Sequence, residues 1–175
     1  MKKFLAFAVC LMTAFSFFGC RGKTVTGPNG KTYRIPKDGI CVVGKDIVLE
    51  DITEFYFTIS TSTCPAYYQR YRFYTENGKY RMFHETRRGE AWPLTEEYTT
   101  QSGTVKLTDE QWNEFYEFLK DGKVTARSEN LEDGASGPWM YLYWPGDAGD
   151  YQEFSFAQPG RKLSFEEFCE SLRDG

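Results

Sequence analysis

The chain has 175 residues, a formal charge of −4, and 41% hydrophobic and 18% aromatic residues. That is one domain's worth of chain, with enough apolar content to bury a core and to exclude disorder. An acidic balance with no clustered basic face excludes a nucleic-acid partner, and a single histidine excludes an all-histidine metal centre.

Residues 1–20, MKKFLAFAVCLMTAFSFFGC, place two lysines before an apolar run from Phe4 to Phe18 that ends on Gly19 and Cys20. This is the charge, apolar core and small-residue pattern of an export signal, and the run is too short to span a bilayer comfortably. The ending Phe17-Phe18-Gly19-Cys20 resembles a bacterial lipobox. The resemblance implies cleavage after residue 19, a diacylglyceryl thioether on Cys20, and a membrane-held, extracytoplasmic protein that does not span the bilayer. An ordinary secretory signal followed by a chance cysteine is the alternative. Loss of residues 1–19 would take the charge from −4 to −6, because the segment holds two lysines and no acid.

Residues 20–39 read as the lipidated cysteine and a flexible tether, rich in Gly, Lys, Thr and Pro, with a reach of at most about 60 Å. Asn29-Gly30, flanked by Val25, Tyr33 and Ile35, admits a small hairpin inside it. Residues 40–175 are expected to form a single α+β domain: an antiparallel sheet of about five strands with two amphipathic helices on one face.

Alternation predicts a strand from Glu54 to Ser60, with Phe55, Phe57 and Ile59 inward. Next comes the strongest hairpin signal, Asn77-Gly78 between two long runs from Ala66 to Arg88. A two-residue turn there pairs Glu76 with Lys79, Tyr74 with Arg81, Arg72 with Phe83 and Arg70 with Glu85 on a wet face. It puts Tyr71 opposite His84 and Phe73 opposite Met82 on the core face. Thr108 and Gln111 form a capping box for a helix that buries Trp112, Phe115, Tyr116 and Leu119. Ser164 and Glu167 repeat it for a helix that buries Phe165, Phe168, Cys169 and Leu172. A weak strand is expected at residues 124–127, and a second hairpin joins residues 139–144 to 151–156.

Candidate chemistry is sparse. In an oxidising compartment the mature chain keeps Cys41, Cys64 and Cys169. The pair Cys41–Cys64 is the favoured disulfide, since Cys169 lies on a helix's apolar stripe; three free thiols is the alternative. No catalytic constellation, cofactor site or metal site is predicted. Gly134-Ala135-Ser136-Gly137 departs from a nucleophile elbow. The loop acids Glu132, Asp133, Asp147 and Asp150 lack calcium-loop spacing. A Cys64–His84 nucleophile pair is the only hydrolytic arrangement available besides loop carboxylates.

The aromatic signal is stronger. With Leu142 facing the core, Trp139, Tyr141 and Tyr143 point to the opposite face. Either the loop from Glu90 to Ser102 covers them with Trp92 and Tyr98, or they form a binding platform that Tyr68, Arg72 and Tyr74 extend. The favoured function is therefore a non-catalytic module that binds a glycan, a peptide or an envelope protein. A small envelope hydrolase, or a protein inhibitor or assembly factor, is the alternative. The strand near Phe55, the Asn77-Gly78 hairpin, the Leu107-to-Trp112 helix start, the Gly146–Asp150 turn and the helix after Pro159 together resemble small lipoproteins of gut-type anaerobic bacteria. That resemblance implies the architecture and carries no catalytic residues.

Overall fold

A computed structural model of the chain describes residues 22–127, 139–146 and 152–175. The segment read as an export signal, with Cys20, lies outside the described residues, as do the acids Glu132, Asp133, Asp147 and Asp150. Among the described residues, ten strands and two α-helices make up the fold. They are β1 (Lys23–Thr26), β2 (Thr32–Ile35), β3 (Cys41–Val42), β4 (Glu54–Thr61), β5 (Ala66–Glu76), β6 (Lys79–Gly89), β7 (Thr99–Lys106), α1 (Asp109–Leu119), β8 (Lys123–Ala126), β9 (Trp139–Tyr143), β10 (Gln152–Ser155) and α2 (Arg161–Asp174).

The five-strand α+β expectation is corrected. The protein is mostly sheet: eight strands in the order β3-β8-β10-β9-β4-β5-β6-β7, every neighbouring pair antiparallel, plus the two-stranded β1-β2. The strands beyond five come from segments with little apolar alternation. β7 reads TTQSGTVK, and β3 is two residues long. Both helices lie on one face of this larger sheet, where Phe115 of α1 and Phe165 of α2 each contact Phe55 and Phe73. α1 carries the chain from the β7 edge to β8, near the opposite edge.

The central hairpin forms as its turn dictates. Asn77 at φ 52° and Gly78 at φ 70° occupy the left-handed region at both central positions, which matches the twist of the flanking strands. Pairing then runs unbroken from Glu76↔Lys79 to Ala66↔Gly89. The side chains sent inward by that register, Tyr71, Phe73, Met82 and His84, are all buried. Phe73 stacks on Phe115 with centroids 4.3 Å apart, and Phe55, Phe57, Phe154 and Leu142 complete the layer under the helices.

Three further expectations change. The small hairpin that Asn29-Gly30 admits inside the tether does form, as β1-β2, but it is docked and not loose, with Tyr33 buried against Trp144 edge-on at 4.9 Å. The helix expected to start at a Ser164 cap begins at Arg161 instead, because the Pro159-Gly160 turn seeds it four residues earlier. Ser164 therefore lies inside the helix, and Leu163 is exposed. The Cys41–Cys64 disulfide is absent: Cys41, Cys64 and Cys169 are all free. Cys41 sits on β3 and Cys64 in the turn after β4, with β8, β10 and β9 between them. Four strand spacings of about 4.8 Å exceed what a disulfide can bridge. The α1 capping box is present as read, with Gln111 N–H donating to Thr108 Oγ1 at 3.2 Å and Thr108 N–H donating to Gln111 Oε1 at 2.9 Å.

Candidate functional site

The site is built from the sheet face turned away from the helices. Strand alternation fixes which residues lie there, and the register fixes their neighbours. One row runs Glu153, Tyr141, Tyr56, Arg72, Phe83 and Thr104 across six strands; the next runs Tyr143, Glu54, Tyr74, Arg81 and Lys106. On the other side of the first row lie Thr58, Arg70, Glu85 and Ser102. Neither helix covers this face, since both pack on the opposite one.

Arginines and rings interleave. The Arg72 guanidinium lies over Tyr74 at 4.5 Å and Tyr56 at 5.6 Å, Arg70 over Phe83 at 5.4 Å, Arg87 over Tyr68 at 5.2 Å, and Arg127 over Tyr141 at 5.5 Å. Guanidinium–ring contacts at partly exposed sites such as these are worth about 0.5–1 kcal/mol each. Carboxylates tie the arginines down. Arg72 Nη2 donates to Glu54 Oε1 at 2.7 Å, and the Tyr56 hydroxyl donates to Glu54 Oε2 at 2.7 Å. Glu85, 5% exposed, accepts from Arg70 at 2.9 Å, Arg87 Nε at 2.7 Å and Thr99 Oγ1 at 3.1 Å. Burial pushes the Glu85 carboxyl up, but the Arg87 hydrogen bond and the charges of Arg87 and Arg70 outweigh it and hold the group below the usual carboxylate range. Burial raises the Tyr68 and Tyr141 hydroxyls, so both stay protonated donors at neutral pH.

On β4, β5, β6 and β9 this face carries five cations (Arg70, Arg72, Lys79, Arg81, Arg87) against three carboxylates (Glu54, Glu76, Glu85). It leans basic on an acidic chain.

Of the residues singled out from sequence, Tyr74, Tyr141 and Tyr143 come together here, all half-buried. The backbone of Trp139 pairs with Thr58 at the edge of the same patch. Trp92 does not join them. Its loop packs at the far end of β6, with Leu94 against Gly89 and the Leu94 carbonyl accepting from Arg87 Nη1 at 3.0 Å, about 20 Å along the strand from the Phe83 row. The expected lid over Tyr141 and Tyr143 is therefore not made by Trp92. Phe83 lies opposite Arg72 as the hairpin register requires, whereas Tyr56 and Arg127 were not legible as members. Tyr56 joins Tyr141 only because β4 pairs with β9, more than 80 residues away in sequence.

The Cys64–His84 pair is not brought together, and the loop carboxylates lie outside the described residues. Cys64 is exposed in the β4–β5 turn, while His84 is buried in mid-β6 on the core face with its Nε2 against Gly103. No group of three potential metal ligands occurs among the described residues. No described helix is long and apolar enough to cross a membrane. No family model, curated protein or solved structure matches the chain.

Proposed function

We propose that the protein is a non-catalytic binding module, anchored to the envelope through Cys20 and engaging an acidic protein surface with its tyrosine–arginine sheet face. The observation that carries this reading is the interleaving itself. Tyr and Arg are the side chains that dominate protein–protein hot spots, and here they are held in place by mutual stacking and by Glu54 and Glu85. A sugar would stack on open ring faces. Those of Tyr56, Tyr68, Tyr74, Phe83 and Tyr141 already carry a guanidinium on one side, which favours a protein partner over a glycan. The excess of cations favours an acidic partner surface.

Two experiments test it. A photo-reactive phenylalanine analogue at Thr104, exposed on this face, should cross-link one protein partner in cells, while the same group at Glu114 on α1 should not. Arg72→Glu should cut the Thr104 yield about tenfold, as losing an interface charge pair does. Equal cross-linking from both positions, or a glycan bound by the purified chain with no protein cross-link, would overturn the assignment. Separately, Cys20→Ala should move the protein out of the membrane fraction and abolish labelling by a fatty-acid analogue; unchanged retention would refute the anchor alone.

A further inference from the structure

A second surface lies on the helix side of the sheet, past the last turn of α2. Along β5, β6 and β7 the inward-facing positions turn from apolar to polar at this end. Gln69, Thr86 and Gln101 form one cross-strand row, and Tyr67 pairs with Arg88 in the next. A cavity of about 430 Å³ opens above them, bounded by Glu170 and Arg173 of α2. That volume falls among those of small-molecule sites, about 300–1,000 Å³.

The floor is fixed and satisfied. The Tyr67 hydroxyl donates to Gln69 Oε1, Gln69 Nε2 donates to the Tyr71 hydroxyl oxygen, and Arg173 Nη1 reaches that same oxygen at 3.4 Å. Arg173 is held in turn by Asp174, at 2.7 and 2.9 Å. Gln69 and Thr86 are 4% and 6% exposed, so polar side chains stand where this face elsewhere buries Phe73 and Met82.

Two charges are left over. Arg88 stacks on the Tyr67 ring at 4.8 Å and Glu170 projects from α2. Neither has an ion-pair or hydrogen-bond partner among the described residues, and they do not pair with each other. The cavity is thus lined by a cation and an anion that are not ion-paired, beside Thr86 and Gln101, while its other cation, Arg173, is held by Asp174. We infer that this cavity binds a zwitterion of amino-acid to dipeptide size, its carboxylate on Arg88 and its ammonium on Glu170. A guanidinium presents a fork that matches a carboxylate, and a carboxylate accepts readily from an ammonium. A sugar is disfavoured, because the Tyr67 ring face is taken by Arg88. An apolar ligand is disfavoured by a lining made of polar side chains.

The test is a titration of the ¹⁵N-labelled protein with glycylglycine, following the side-chain amides of Gln69 and Gln101, beside N-acetylglycine, glycinamide and glucose as single-charge and neutral controls. Glycylglycine should give saturable shifts at millimolar concentration and the three controls should give far weaker ones. Arg88→Gln and Glu170→Gln should each weaken glycylglycine binding about tenfold. Both side chains are exposed, so both variants should melt with the wild type, and loss of binding will not be mistaken for loss of fold. Absence of saturation with glycylglycine, equal response to glycinamide or N-acetylglycine, a response to glucose alone, or unchanged affinity in either variant would overturn the inference.

Discussion

His84 shows how one buried side chain sets a pH response. It is 6% exposed, its Nδ1 has no hydrogen-bond partner, and Gly103 comes so close that a Cβ there would lie 2.8 Å from Nε2. Burial, aided by the Arg173 charge and opposed by Asp174, pulls its pKa below the ordinary 6.5. Below that pH the unfolded chain takes up a proton that the folded chain refuses, so the stabilisation present above pH 6.5 is lost on acidification. The urea midpoint should therefore fall between about pH 7.5 and about pH 5.5, and His84→Phe should flatten that fall. An equal fall in the variant would assign it to other groups. Glu85, with its lowered carboxyl, acts with the same sign only below the ordinary carboxylate value of 4.5. The thiols give a second residue-level expectation. Burial, with Asp46 and Asp38 adding, raises Cys41 to about 11, and burial raises Cys169 well above the ordinary thiol value, while Cys64 is exposed. Of these three, iodoacetamide at neutral pH should modify Cys64 alone until the protein is unfolded, since only a thiolate with access reacts.

Elements were legible in the sequence wherever a short-range device fixed them. Asn77-Gly78 needs no distant contact to set its turn, and period-two alternation then assigned the inward and outward side chains from Ala66 to Gly89. A left-handed position costs an L-residue about 1 kcal/mol or more, so Gly78→Val should destabilise by about 1–2 kcal/mol. Thr108→Ala should cost about 1 kcal/mol through the lost cap. Denaturant melts of the two variants check both values. β7 was illegible for the opposite reason. It has one apolar residue other than glycine, Val105, and exists because β6 offers it an open edge. The binding face was half legible on the same grounds. Alternation put Tyr141, Tyr143 and Tyr74 outward, but the β4–β9 pairing that inserts Tyr56 between Tyr141 and Arg72 is a long-range contact that no local pattern announces. Trp92 looked like a lid because it is an aromatic residue in a loop of unassigned direction, and only the packing of Leu94 on Gly89 shows which way the loop turns.

The whole molecule differs most from its sequence reading at its beginning. A chain with the composition of a tether is folded, because Tyr33 anchors it, with Val25 and Ile35 packed against the core beside it. Tyr33 fills the edge of Trp144, its hydroxyl donates to Asp51 at 3.0 Å and accepts from Asn29 Nδ2 at 2.7 Å, and Lys31 reaches the same buried carboxylate at 2.8 Å. No strand pairing joins this hairpin to the eight-stranded sheet, and a two-stranded ribbon is marginal without packing. Tyr33→Ala should therefore release residues 23–35 as a local unit: their amides should lose exchange protection while those of β5 and β6 keep it. Loss of protection in both would show instead that the hairpin is part of the global fold. The consequence reaches the proposed anchor. Cys20 is two residues from Gly22, a span of at most about 7 Å, so if Cys20 carries the proposed lipid a docked hairpin would hold the domain against the bilayer. Freed residues 20–39 could lift it by up to about 60 Å. On lipidated protein in supported bilayers, the height of the domain should rise in Tyr33→Ala and stay low in the wild type. A wild-type height already near the extended limit would mean that the hairpin does not hold the domain down.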